Sequence, residues 1–124
     1  MHEFSVMSQI VKSVIEEARS RRASRIENVV LELGEFTMLG HDQLRFAFDI
    51  LSKDTILDGA ALDLRTIKGE IECRCGFKGE ASPSEDLPHH LAASFECPRC
   101  GELARVTGGR DCLIRNISMV VPDV

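Results

Sequence analysis

Cys73-Arg74-Cys75-Gly76 and, with twenty-one residues intervening between Cys75 and Cys97, Cys97-Pro98-Arg99-Cys100-Gly101 make the stretch on which the reading of this chain turns. Four thiolates in two close pairs, brought together by a folded-back loop, suit a divalent ion that takes four soft ligands in a tetrahedron. Zinc is the default ion for such a set. Cys-Pro-x-Cys-Gly predicts a tight turn with both sulfurs facing one point, since Pro fixes one φ and Gly lets the chain leave through a left-handed conformation. The first pair is one residue short of the usual C-x-x-C. Residues i and i+2 of an extended strand point the same way but too far apart to share an ion, so Cys73 and Cys75 require a local turn, which Gly76 favours. A disulfide pair and free buried thiols are the competing readings, and the spacing fits both less well.

Working outward, the chain is long enough for one small domain with a core: 124 residues, 44% of them hydrophobic. A metal would stabilise any part too small to have its own core. The formal net charge of −5 argues against a sequence-independent grip on nucleic-acid phosphates. There is no Trp or Tyr, and the six Phe are not interleaved with a basic stripe, so no stacking platform for bases is expected. The N-terminus lacks a charged n-region and a long apolar run, which predicts a cytoplasmic protein with no membrane partner. Five cysteines in a reducing compartment fit four metal ligands plus one spare better than a disulfide framework.

Periodicity supplies the elements. Val6, Met7, Ile10, Val11, Val14, Ile15 and Ala18 recur at helical steps, with Lys12, Ser13, Glu16 and Glu17 opposite. The run Arg19, Arg21, Arg22 and Arg25 reads as the solvated, dipole-complementing end of that helix. Ile26 to Leu33 alternates, with Val29, Leu31 and Leu33 on one face and Asn28, Val30 and Glu32 on the other, and Gly34 closes the strand. Glu35 to Gly40 reads as loop. Asp42 suits the start of a second helix, with Leu44, Ala47, Phe48 and Leu51 as its stripe, ending before the turn signal Leu57-Asp58-Gly59.

Leu62 and Leu64 mark a second strand that is expected to lead directly into Cys73. After Gly108-Gly109 the segment Cys112 to Val121 is β-rich, with Leu113, Ile117, Met119 and Val121 expected on one face and Arg115 breaking it. The predicted class is α+β: two helices on a three-stranded sheet, with a protruding four-cysteine zinc-ribbon-like module inserted before the last strand. The expected domains are 1–69 with 108–124, and 70–107.

Met1-His2-Glu3 opens the chain. A free α-amine on Met1, the amide nitrogen of residue two and the imidazole of His2 can form fused chelate rings around one ion, and a planar nitrogen set is what nickel(II) or copper(II) prefers. Taken alone the constellation is weak, because a terminal histidine is more often an ordinary surface residue.

Met1-His2-Glu3 followed by a helix, Gly34-Glu35 after the first strand, the Leu44-to-Leu51 helix with its Phe-Ala-Phe core, and the four-cysteine loop before a final β segment together resemble HypA/HybF, the hydrogenase nickel incorporation proteins. The resemblance spans essentially the whole chain. It implies a nickel metallochaperone rather than an enzyme, with His2 as the essential Ni(II) ligand, Glu3 in support, backbone nitrogens including the Met1 amine as further donors, and structural zinc on Cys73, Cys75, Cys97 and Cys100. It also implies a GTPase partner, HypB, the large subunit of nickel-iron hydrogenase as recipient and, in some bacteria, urease maturation proteins. The C-x-C pair departs from the family's C-x-x-C. Cys112 is the other thiol able to substitute, although a small buried strand residue is its simpler reading. His89 and His90 lie in the loop between the pairs, as solvated histidines or auxiliary nickel or zinc contacts; His41 reads as a surface or capping-region residue.

The competing function is a zinc-ribbon module that binds protein or nucleic acid through Arg99, Arg105 and Arg110, with no role for nickel. The acidic balance counts against it. A zinc enzyme would need an open coordination position, which four cysteines do not leave.

Overall fold

The computed structural model describes residues 2–80 and 94–123. Helix α1 (Glu3–Ser20) buries Met7, Ile10, Val11, Val14 and Ala18, the stripe that its periodicity dictates. It starts at Glu3, ahead of the apolar residues, because an acidic side chain in the first turn complements the helix dipole. It stops where Arg22 turns left-handed (φ 57°) and the Ala23 N–H reaches back to the Ala18 carbonyl at 2.9 Å. Strand β1 (Arg25–Gly34) follows. Its burial is not confined to one face as alternation suggested: Val30 is buried together with Val29 and Leu31. The central place of β1 in its sheet accounts for this, since the sheet runs β2-β1-β7.

A 3-10 turn (Glu35–Thr37) occupies the segment read as loop, with Phe36 buried and the Thr37 hydroxyl donating to the Gly34 carbonyl at 2.7 Å. Helix α2 (His41–Ser52) packs against α1 and buries Leu44, Ala47 and Phe48. Phe46, expected in a Phe-Ala-Phe core, is 68% exposed, because Phe48 and Phe46 lie about 200° apart around the helix axis and only one of them can face inward. Strand β2 (Ala61–Ile67) and strand β7 (Cys112–Val120) flank β1.

Four shorter strands make a second sheet, in the order β4-β3-β6-β5: β3 (Glu70–Glu72), β4 (Lys78–Glu80), β5 (Ser94–Glu96) and β6 (Leu103–Gly108). The pairs β3–β4, β3–β6 and β5–β6 are antiparallel. The expectation that the Leu62 strand runs straight into Cys73 is therefore corrected. The strand ends at Ile67, and Cys73 follows a separate strand of the other sheet.

Two compact units result. One comprises Met1–Leu31, Leu39–Arg65 and Ile114–Val124; the other comprises Glu32–Met38 and Thr66–Leu113. In the first, Met7, Val14, Val29, Leu31, Leu44 and Leu57 are at most 1% exposed and form the core. In the second, Phe36, Ile71, Cys73, Cys97, Ala104 and Val106 are buried together, with Phe77 packed on them.

Three backbone segments cross closely within the second unit. A Cβ on Gly34 would lie 2.2 Å from the Gly109 carbonyl carbon and oxygen, and one on Gly109 would lie 2.7 Å from the Gly69 Cα. The crossing is tied by hydrogen bonds: Gly34 N–H to Asp111 O at 2.9 Å, Phe36 N–H to Gly109 O at 2.8 Å, and Gly69 N–H to the Glu35 carboxylate at 3.0 Å. Strand β7 also departs from expectation, since Leu113 is 56% and Val121 48% exposed. Ile117 and Met119 alone of the four expected residues are partly covered, as befits a strand at the end of its sheet. Among the described residues, no helix is long and apolar enough to cross a membrane.

Candidate metal centre

Cys73 follows β3, and the chain turns at once. The Cys73 N–H donates to the Phe77 carbonyl at 2.8 Å, the Gly76 N–H to the Cys73 carbonyl at 3.0 Å, and Gly76 takes φ +99°. This hairpin end, rather than an extended strand, lets a C-x-C pair aim both sulfurs one way. The second pair follows β5 in a matching turn: Cys97 N–H to Glu102 O at 2.7 Å, Gly101 N–H to Cys97 O at 2.9 Å, and Gly101 at φ +79°.

All four sulfurs lie within 4.8 Å of one another. Cys73 and Cys100 are 3.5 Å apart and Cys75 and Cys97 3.8 Å. Four sulfurs about 2.3 Å from a central ion stand about 3.8 Å apart in a tetrahedron, whereas a disulfide needs about 2.05 Å. The cluster has the dimensions of a metal cage, and its cysteines are unpaired. Its electrostatics agree. Burial raises the Cys97 thiol, but the backbone amides of Cys100 and Arg99 and the neighbouring sulfurs outweigh it and bring it down to about 7. At Cys100 the Glu102 amide lowers the thiol, but Cys73, burial, Cys75 and Cys97 push it up to about 12. Four thiolates this close cannot ionise together without a cation between them, and a divalent ion removes that repulsion.

Cys73 and Cys97 are buried in the small core and Cys75 and Cys100 are exposed. One side of the cage is thus built into the fold and the other faces water. The Arg99 guanidinium lies 5.9 Å from the Phe77 ring centroid, and Arg105 approaches Glu72 at 3.9 Å, so two of the three cations of the suggested basic face have partners in the same unit.

The N-terminal candidates belong to the first unit. His2 is exposed at the N-cap of α1, where its carbonyl accepts the Val6 N–H at 2.9 Å. Glu3 is half-buried, and its carboxylate accepts the N–H of Gly40, the N-cap of α2, at 3.0 Å. The chain's terminal ammonium, then the Gly40 amide, hold the Glu3 carboxyl well below the carboxylate range, at about 2. An open concavity of about 530 Å³ beside it is lined by Glu3, Phe4, Asp42, Gln43, Phe46 and Ala47. Met1, His89 and His90 lie outside the described residues. His41 is exposed as the first residue of α2. Cys112 is half-buried at the start of β7 and does not join the four sulfurs; burial pushes its thiol up.

Sequence reasoning missed Phe36 as a core residue of the cysteine unit and Glu35 as the acceptor that ties Gly69. The available signal was Gly34-Glu35 directly after a strand, with an aromatic next to it, in a segment otherwise read as loop.

The chain matches a family model described as HypA, hydrogenase/urease nickel incorporation, metallochaperone, over residues 1–119. It is 38% identical over 124 residues to the hydrogenase maturation factor HypA of Methanothermobacter thermautotrophicus, covering 99% of this chain and 100% of the relative. It is 32% identical over 127 residues to the factor of the same name from Methanosarcina acetivorans, covering 96% of each. Its fold is similar to the solution structure of the Ni metallochaperone HypA from Helicobacter pylori, with a TM-score of 0.66 and 24% identity over 98% of this chain and 100% of that one.

Proposed function

Because the chain belongs to the HypA family of hydrogenase and urease nickel-incorporation metallochaperones, which are maturation factors and not enzymes, we propose that it carries Ni(II) at its N-terminus and releases it to an apo-enzyme. In this reading His2 supplies the imidazole, and the Met1 amine and the residue-two amide supply further nitrogens. The observation that carries the reading is the position of His2 within a family match over residues 1–119: exposed, one residue ahead of α1. No acceptor for its amide N–H is found among the described residues, so recruiting that nitrogen to nickel breaks no helix bond. Glu3 acts in support. Its carboxylate, held by Gly40, fixes where α1 begins and therefore where His2 stands.

Release requires a ligand set that is accessible and labile, which a chain terminus supplies and a closed four-thiolate cage does not. Zinc in the Cys73, Cys75, Cys97 and Cys100 cage is structural: the four sulfurs fit a tetrahedron, and two of them are members of the small core. The recipient is the apo large subunit of nickel-iron hydrogenase, with the GTPase HypB on the supply side, urease maturation proteins as further partners, and the cytoplasm as the place of work.

Calorimetric nickel titration of zinc-loaded protein with its native N-terminus tests this reading. The parent should show a nickel site that His2→Ala lacks, and a variant extended by one residue before Met1 should lose it too. Equal binding by all three would remove His2 and the terminal amine from the cargo site.

A further inference from the structure

Helix α2 begins on an amide with two side-chain acceptors beside it. Gly40 is the N-cap, and its carbonyl accepts the Leu44 N–H at 3.0 Å. Its own N–H lies ahead of the first turn, where no intrahelical carbonyl can take it. The usual acceptor for such a donor is a Glu or Gln side chain three residues on, which closes a capping box. Gln43 stands at that position. The Gly40 N–H goes instead to the Glu3 carboxylate of α1, at 3.0 Å. A charged acceptor makes the stronger hydrogen bond and wins over a neutral amide. Gln43 has nevertheless not left the cap. A Cβ built on Gly40 would lie 2.0 Å from Gln43 Oε1 and 2.8 Å from its Cδ, so the amide folds over Gly40 and fills the place of a side chain. That overlap, and not the backbone, favours glycine here, since φ −79° and ψ 130° suit any residue. Glu3 and Gln43 both line the open concavity of about 530 Å³, which leaves each of them room to turn.

We propose that Gln43 is a positioning residue for the nickel site: it takes over the Gly40 N–H when the Glu3 carboxylate turns towards a cation bound at His2, so that α2 keeps its cap while Glu3 moves. The nickel half of this rests on the reading that His2 binds the cargo, whereas the exchange of acceptors does not. Glu3 follows His2 directly in the chain, and a divalent ion at His2 attracts its carboxylate more strongly than a single amide dipole does. With no second acceptor, that movement would strip a half-buried N–H of its partner, which opposes it. With Gln43 folded over Gly40, one hydrogen bond replaces another, and the ion meets a carboxylate that is free to turn.

The experiment has two arms, both on the zinc-loaded full chain. The first, without nickel, reads amide exchange at Gly40 in the parent, Glu3→Ala, Gln43→Ala and the double variant. Each single variant should keep this amide protected, because the other acceptor remains. The double variant should exchange about tenfold faster than either. Gln43→Glu in the Glu3→Ala background should restore protection, since a carboxylate of nearly the same reach closes the box. The second arm is calorimetric nickel titration of the parent, Gln43→Ala and Gly40→Ala. Gly40→Ala keeps the glutamine but expels its amide from the cap, so it removes the second acceptor without touching Gln43. Both variants should bind the same number of nickel ions as the parent, about threefold or more weakly. Loss of Gly40 protection in Glu3→Ala alone, a double variant no faster than the singles, or an unchanged nickel affinity in either titrated variant overturns the proposal. A parent without a His2-dependent nickel site would overturn the cargo reading and Gln43's part in it, while the nickel-free arm would still decide whether the two acceptors exchange.

Discussion

Glu3 shows how a motif residue can act through structure. Its carboxyl is lowered to about 2 by the terminal ammonium and then by the Gly40 amide, so the ionised form is favoured in the folded state. A depressed carboxyl contributes stability that is present above its ordinary value of 4.5 and is lost as pH falls from there towards 2. Glu3→Gln should therefore lower the melting temperature at neutral pH and flatten its decline between those limits. The contribution is no more than about 1 kcal/mol for a group this accessible to water. Thermal melts of nickel-free parent and variant across that range check it; parallel pH profiles would remove the clamp. The two aromatics on either side of Gly40 separate burial from motif. Phe36 is 5% exposed in the cysteine unit and Phe46 is 68% exposed on α2. Phe36→Ala should cost about 3 to 5 kcal/mol and weaken zinc retention against a chelator, because folding of that unit and metal binding draw on one free energy. Phe46→Ser should change stability by no more than about 0.5 kcal/mol. Chemical denaturation of both variants, with a chelator competition for the first, measures the contrast.

At the scale of elements, the long periodic segments are legible in the sequence: α1, β1, α2 and β2 stand where their apolar spacing puts them. What periodicity could not supply was set by neighbours. Val30 is buried because β1 is a central strand, while Leu113 is exposed because β7 ends its sheet, and strand order is not written in the alternation of either. The break after Ile67 follows from the crossing of Gly34, Gly69 and Gly109, which are far apart in sequence and meet only in the fold. Gly34 is the informative position. Its backbone is extended, with φ −67° and ψ 140°, so alanine suits the dihedrals, but the added Cβ would stand 2.2 Å from backbone atoms of Gly109 that cannot step aside. Gly34→Ala should therefore destabilise by about 3 kcal/mol or more, all of it steric. Gly59 is the reverse case, with φ +85° and open space around it, where alanine costs about 1 to 2 kcal/mol of backbone strain. Denaturant midpoints should rank the parent above Gly59→Ala and Gly59→Ala above Gly34→Ala.

Across the whole molecule, residue chemistry points to the four-cysteine site and the family resemblance to the N-terminal one, while neither shows the support beneath them. The four cysteines were named by spacing, and the C-x-C pair meets its partner sulfurs because a left-handed Gly76 turns the chain there. Their dependence on Phe36 was invisible, since one aromatic in an apparent loop carries no period. The two units differ in what holds them. The first has an apolar core of full-sized side chains on α1, α2 and β1, whereas in the second, among the described residues, two of the six buried together are cage cysteines. The second unit, Glu32–Met38 with Thr66–Leu113, is 55 residues long, a size at which a single core is marginal and a metal adds stability that the core alone supplies only in part. Stripping the zinc we propose for the cage with a strong chelator should thus leave the far-UV helical signal of α1 and α2 nearly intact while amide protection at Ile71, Ala104 and Val106 collapses. Exchange at Met7, Val14 and Leu44 should stay slow. Uniform loss of protection in both units would mean that their folding is a single transition and that zinc stabilises the first unit as well; unchanged exchange everywhere would remove the structural role of the metal.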